Sequence, residues 1–241
     1  MSIVDDYIRR EGDTVRVSAE AASRFAKEVA GDFNPIHDPD NRRFCVPGDL
    51  LFALVVGHYG LSPRMEFRFN GMVGADTPLA LPEADGEMTI ADTDGREYLT
   101  VARAPEPLAD PAAAEALVRG YVAFSGQNFP WILQPLMAEQ GVMFNPDRPL
   151  IIYDSMAFEL LEGEGGPDLD VELADSSMEV DGKRGDVHLA FRLTSGGRTV
   201  GHGSKRLVVS GLRPYDESRM AEVIETFDAG KAAYFEEAGA V

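Results

Sequence analysis

The segment Leu50-Leu51-Phe52-Ala53-Leu54-Val55-Val56 has no polar position on any side. A helix made of it has no face to give to water, so it must be wrapped almost all round. The apolar run ends at Gly57 and is far too short to span a bilayer. The chain therefore needs an element that can surround a helix. Pro47-Gly48-Asp49 opens the segment: proline suits a first helical turn, and Asp49 complements the positive end of the helix dipole. Directly upstream lies a polar loop, Asp32 to Pro47, with prolines at 35, 39 and 47. Its Asp32, Asn34 and His37 stand against what should be the most buried helix of the molecule.

The flanking segments suggest what does the wrapping. Thr14 to Ser18 reads as a short strand, and Ser18 is placed to cap a helix whose Ala22, Phe25, Ala26 and Val29 share one face. Gly31 is suited to stop that helix. After the apolar helix, residues 64–73, 86–92 and 96–104 are extended, with the hairpin signal Asp-Thr-Asp-Gly between the last two. One buried helix followed by consecutive antiparallel strands implies a sheet curled around that helix.

A Pro- and Ala-rich stretch, 104–116, marks a boundary, and the plan then recurs. A helix over 111–124 is followed by Gly-Gln-Asn-Phe-Pro, an imperfect echo of Gly31-Asp32-Phe33-Asn34-Pro35. Then come a largely apolar segment, 131–141, and extended segments at 149–163, 168–180, 185–195 and 198–212. Residues 215–240 carry Met220, Val223, Ile224 and Phe227 at helical spacing. The expected organisation is a first half, 1–107, a second half, 108–214, and a C-terminal helix, 215–241. The expected fold class is α+β.

Composition removes several functions. The sequence has 241 residues, with 41 acidic and 22 basic side chains and a formal net charge of −19. Such a surface repels nucleic-acid phosphates and anionic lipid, so neither nucleic acid nor membrane is an expected partner. Cys45 is the only cysteine, which rules out an intrachain disulfide and a cysteine-based zinc cluster. No phosphate-binding glycine loop, dinucleotide fingerprint or EF-hand spacing is present, so no metal and no nucleotide cofactor is expected. The acidic N-terminal segment lacks the basic start and apolar run of a signal peptide, and the expected location is the cytoplasm.

Phe25 followed by Gly31-Asp32-Phe33-Asn34-Pro35-Ile36-His37 resembles the signature of the R-specific enoyl-CoA hydratases, the MaoC-like hot-dog proteins. Cys45 to Leu51 further resembles the glycine-containing start of their central helix. The chain also resembles an uncharacterised bacterial family of this length. The hydratase resemblance covers about 18–61; elsewhere it is architectural. It implies a double hot-dog, with an antiparallel sheet wrapped around a central apolar helix in each half, formed as a tandem that stands as one chain or dimerises again. It implies an acyl-thioester substrate, usually of coenzyme A, which enters as part of the substrate rather than as a separate cofactor.

Residue by residue, the resemblance makes Asp32 and His37 the acid–base pair that activates water for addition across a trans-2-enoyl thioester. Asn34 positions the water or the pair, and the backbone N–H of Gly48 bonds the thioester oxygen. Three departures accompany it. The segment from His37 to Gly48 is shorter than in the hydratases, Pro47 rather than histidine precedes Gly48, and the second half has Gln127 near the Asp position with no histidine near Pro130. The second half is thus expected to be catalytically silent. Arg42 and Arg43 are candidates for the coenzyme A phosphates, with Lys205-Arg206 and Lys183-Arg184 as further basic pairs. Alternatives are a non-catalytic acyl-thioester sensor, a thioesterase, and an assembly protein that pairs through a sheet edge. His58, His188 and His202 read as helix-end, sheet-face and exposed residues; Cys45 reads as small packing, and Phe129 and Trp131 as core.

Overall fold

The computed structural model describes residues 3–83, 86–108, 110–161 and 165–239, the side chains of 237–239 aside. A short hairpin, β1 (Arg9–Glu11) and β2 (Thr14–Arg16), leads into α1 (Ala19–Phe25), which continues as a wider π-type turn over Ala26–Ala30. Ser18 caps α1, its hydroxyl accepting from the Ala21 N–H at 3.2 Å. Gly31 ends the helical stretch with φ +69°, a left-handed conformation that glycine takes at no steric cost. The apolar segment forms α2 (Gly48–Tyr59).

Then follow β3 (Arg64–Phe69), β4 (Leu79–Ala80), β5 (Glu87–Asp92) and β6 (Glu97–Arg103). The second series has α3 (Pro111–Gly126), a π-type turn at Asn128–Ile132, α4 (Leu133–Glu139), β7 (Val142–Met143), β8 (Ile151–Leu160), β9 (Asp170–Asp181), β10 (Arg184–Ser195), β11 (Arg198–Ser210), β12 (Arg213–Pro214) and α5 (Glu217–Gly239). Glu162 and Gly163, at the end of an expected strand, and Ala240, at the end of the expected helix, lie outside the described residues.

The ten-stranded sheet runs β1-β2-β4-β5-β6-β3-β8-β11-β10-β9. In its first part β3 pairs with β6, β6 with β5 and β5 with β4. In its second part β8 pairs with β11, β11 with β10 and β10 with β9. Replacing β3, β4, β5 and β6 by β8, β9, β10 and β11 turns one list into the other. The two series join where β3 meets β8 antiparallel, with Met65 opposite Phe158 and Phe67 opposite Met156. This is a double hot-dog: an α+β fold in which two mirrored antiparallel sheets share one continuous ladder and curl over helices.

Helix α2 is sheathed as its sequence requires. Every side chain from Asp49 to Val56 is buried. Phe52 sits edge-on to Phe67 of β3 at 5.2 Å and to Tyr121 of α3 at 4.8 Å. Tyr121 and Phe124 in turn reach Phe191 of β10, each at 5.6 Å. The two halves differ in their helices. The expected central helix of the second half is only the two-turn α4, which buries Leu133, Leu136 and Met137, while α3 buries more of its length. Trp131, expected in the core, is 72% exposed: the turn before α4 buries Asn128 and Pro130 and leaves this side chain on its outer side. Phe129 is half-buried against Phe144 and Phe227.

The glycine of the second motif packs against the residue that precedes the first. A Cβ on Gly126 would stand 1.7 Å from the carbonyl oxygen of Ala30, the residue before Gly31. The end of α3 therefore passes the end of the α1 stretch at backbone contact. Gly126→Ala should push the two apart and lower stability by about 3 kcal/mol. A urea-unfolding midpoint for this variant equal to that of the native protein would contradict the packing described.

Candidate active site

The motif loop is fixed by its own backbone. The Asp32 N–H donates to Ala26 O at 2.8 Å, closing the helical end. Asp32 Oδ1 then accepts from the Asn34 N–H at 2.8 Å, and Asn34 Oδ1 accepts from the Ile36 N–H at 3.1 Å. These two turns, favoured by short side chains with an acceptor oxygen, lead into the 3-10 turn Pro35–His37. Asn34 thus spends its side-chain oxygen as a cap on this turn, while it also lines the adjoining cavity.

His37 is 8% exposed. Its Nδ1 lies 2.7 Å from the carbonyl oxygen of Cys45. A carbonyl can only accept, so Nδ1 carries a proton, and Nε2 is the nitrogen that takes up and gives up the second one. That Nε2 stands 3.6 Å from Asp32 Oδ2. The gap is too long for a direct hydrogen bond and leaves both atoms able to hold a common water.

Both groups line a cavity of about 870 Å³ whose wall continues through Pro47, Gly48 and Asp49 at the start of α2. No side chain caps this helix end. Leu50 and Leu51 N–H donate to Pro47 O at 3.1 and 3.3 Å. The N–H groups of Gly48 and Asp49 precede them and belong to the set with no intrahelical acceptor. A Cβ on Gly48 would lie 2.6 Å from Tyr153 Cδ1 and 3.2 Å from Phe69 Cε1. Glycine is required there because aromatic rings occupy the space of a side chain.

Arg42 is exposed and Arg43 half-buried, and neither lines the cavity. Cationic groups at the cavity wall come from elsewhere. Lys27 is paired with Asp38 at 2.8 Å, and Arg219 of α5 with Glu222. The third is Lys205, which the sequence presents as part of a basic surface pair but which is 2% exposed. Its signal was the strand period: Lys205 alternates in phase with Leu207 and Val209, both buried. Lys205 Nζ donates to Ser125 Oγ, and Ser125 Oγ donates to Asp49 Oδ2 at 2.6 Å. Burial holds Asp49 above the usual carboxylate range, opposed by the Lys205 charge; burial holds Lys205 below the usual amine range, opposed by Asp49 and Asp32. Asp49 therefore does more than answer a helix dipole.

Helix α5 closes one side of the cavity with Val223, Phe227 and Tyr234. Phe33, the variable position of the motif, anchors it: its ring meets Phe227, Tyr234 and Phe235 at 5.8–6.0 Å. His58, His188 and His202 are exposed and lie away from the cavity.

Fold and site together define a double hot-dog protein with an acid–imidazole pair in a cavity at the head of its first central helix. Residues 1–218 match the model of the family described as "Protein of unknown function (DUF3581)", and the chain belongs to that family. No curated protein matches the chain. Among solved structures it is similar to a conserved protein of unknown function with hot dog fold from Alicyclobacillus acidocaldarius: identity is 10%, coverage 89% of this chain and 100% of that one, and TM-score 0.48. It is similar to an acyl-CoA thioesterase II from Mycobacterium marinum, at 12% identity, 88% and 99% coverage and TM-score 0.42. A MaoC-like dehydratase matches at 10% identity, 83% and 97% coverage and TM-score 0.40. These are likenesses of fold. Among the described residues no helix is long and apolar enough to cross a membrane.

Cys45 borders the cavity, yet burial pushes its thiol up to about 12. The thiol, not the thiolate, is then the form present at neutral pH, and it is a poor nucleophile. The folded protein should leave Cys45 unmodified by a disulfide reagent at pH 8 and release one equivalent of reactive thiol on unfolding. Fast labelling of the folded protein would contradict this environment.

Proposed function

We propose that the protein catalyses the reversible hydration of a trans-2-enoyl thioester to a 3-hydroxyacyl thioester. The observation that carries the reading is His37, its Nδ1 bonded to the Cys45 carbonyl and its Nε2 facing Asp32 Oδ2 at 3.6 Å in a cavity. A water held between them is activated as follows. Nε2 takes one of its protons while the oxygen bonds to C3 of the substrate. The C2–C3 π electrons move toward the thioester carbonyl and form an enolate. The imidazolium then returns the proton to C2, which completes addition of H and OH. Asp32 remains a carboxylate and stabilises the imidazolium through the step. General acid–base assistance of this kind is worth about 10²–10⁴-fold.

The enolate oxygen needs fixed donors in a place without water. The first N–H groups of α2 serve this need, since they carry the positive end of a dipole and no side chain caps them. Losing one such donor costs about 3–4 kcal/mol. No metal or separate cofactor takes part; coenzyme A or another thiol carrier belongs to the substrate. Arg42 and Arg43, which lie outside the cavity wall, are the candidates for the carrier's phosphates.

The direct test is loss of enoyl absorbance with crotonyl-CoA and longer 2-enoyl-CoA substrates. Asp32→Asn keeps the oxygen that accepts from the Asn34 N–H but removes the charge, so it should fold normally and lose about 10²-fold or more in kcat. His37→Gln should lose as much. No turnover by native protein, or full turnover by Asp32→Asn, would refute the proposal. Release of free thiol with no 3-hydroxyacyl product would replace it with thioester hydrolysis.

A further inference from the structure

The cavity holds a second polar group that water addition does not use. Asp49 of α2, Ser125 of α3 and Lys205 of β11 come from three separate elements and are 7%, 3% and 2% exposed. All three line the same cavity as Asp32 and His37. Ser125 links the other two, accepting from Lys205 Nζ and donating to Asp49 Oδ2. The linkage leaves capacity over. Asp49 Oδ1 is buried with no hydrogen-bond partner. Lys205 has three N–H donors, of which Ser125 takes one, and its ammonium rests 4.1 Å from the centre of the Tyr153 ring.

A plain alkyl chain suits such a wall badly. Hydrocarbon packed against it would exclude water and leave Asp49 Oδ1 without a partner and the remaining Lys205 N–H donors unspent, at a cost that an apolar contact does not offset. A hydroxyl suits it well, because it can donate to Asp49 Oδ1 and accept from Lys205 Nζ at once. We infer that Asp49, Ser125 and Lys205 form a recognition subsite for a hydroxyl on the acyl portion of the ligand, so that hydroxylated acyl thioesters are bound in preference to simple fatty ones. The inference rests on the acyl-thioester reading of the cavity but not on the hydration chemistry.

The test uses the full chain and non-hydrolysable 2-oxoalkyl-CoA thioethers of one chain length: the alkyl compound, and its isomers with one hydroxyl at each carbon beyond the third. Calorimetric titration should find at least one hydroxyl isomer bound roughly ten- to a hundredfold more tightly than the alkyl parent, the range expected for pairing a buried polar group. Asp49→Leu and Lys205→Met should lose that preference, and Asp49→Asn, which keeps an acceptor oxygen, should retain much of it. Circular dichroism identifies any variant that fails to fold; if one does, the other two decide. Equal affinity for the alkyl parent and every hydroxyl isomer would overturn the inference, as would a preference unchanged in both Asp49→Leu and Lys205→Met. A hydroxyl preference in a protein that does not hydrate enoyl thioesters would support the subsite and refute hydration alone. Failure of every CoA compound to bind would overturn both.

Discussion

The structure depends on one constraint: a helix with no polar side must be enclosed, while the free N–H groups of its first turn still need acceptors. Burial of Leu50 to Val56 accounts for the curled sheet, the aromatic contacts of Phe52 and the stacking of α3 behind α2. At the head of α2 the enclosure must open or the free N–H groups must be satisfied. Here Pro47 and Gly48 provide no side-chain cap, and a cavity meets the helix end. The groups with reactive capacity gather where the fold leaves backbone polarity unspent.

The same constraint explains why both halves of the tandem are needed although they differ. Asp32, His37 and Asp49 come from the first half; Ser125, Tyr153 and Lys205 come from the second and form part of the same wall. Gly126 allows the second half to approach to backbone contact with Ala30, beside the motif loop. The echo of the motif at Gly126 therefore matters for packing. Its missing acid and histidine fit a half that supplies wall and support.

The sheathed helix, the long strands and the motif loop could be read from the sequence because each has a local cause: an apolar run without a polar face, period-two alternation, or an Asx turn next to a proline. The site's other half could not be read so easily. Lys205 precedes Arg206, and a basic pair ordinarily means a solvated surface, yet strand parity sends the first inward and the second outward. Asp49 has a sufficient local explanation in the helix dipole, which concealed its partners Ser125 and Lys205, 76 positions or more away in the chain. Trp131 reads as core from its type, but the turn before α4 points it outward. The two-residue strands β4, β7 and β12 have too few positions to show any period, and only tertiary pairing defines them.

The central claim is that one water is activated between Asp32 and His37 for addition at C3. It is tested most directly by incubating a 3-hydroxyacyl-CoA with the protein in H₂¹⁸O and D₂O and analysing the recovered thioester by mass spectrometry. The account requires ¹⁸O at the 3-hydroxyl and deuterium at C2, both dependent on His37. Unlabelled thioester, or ¹⁸O found only in the carboxylate of a released acid, would contradict it.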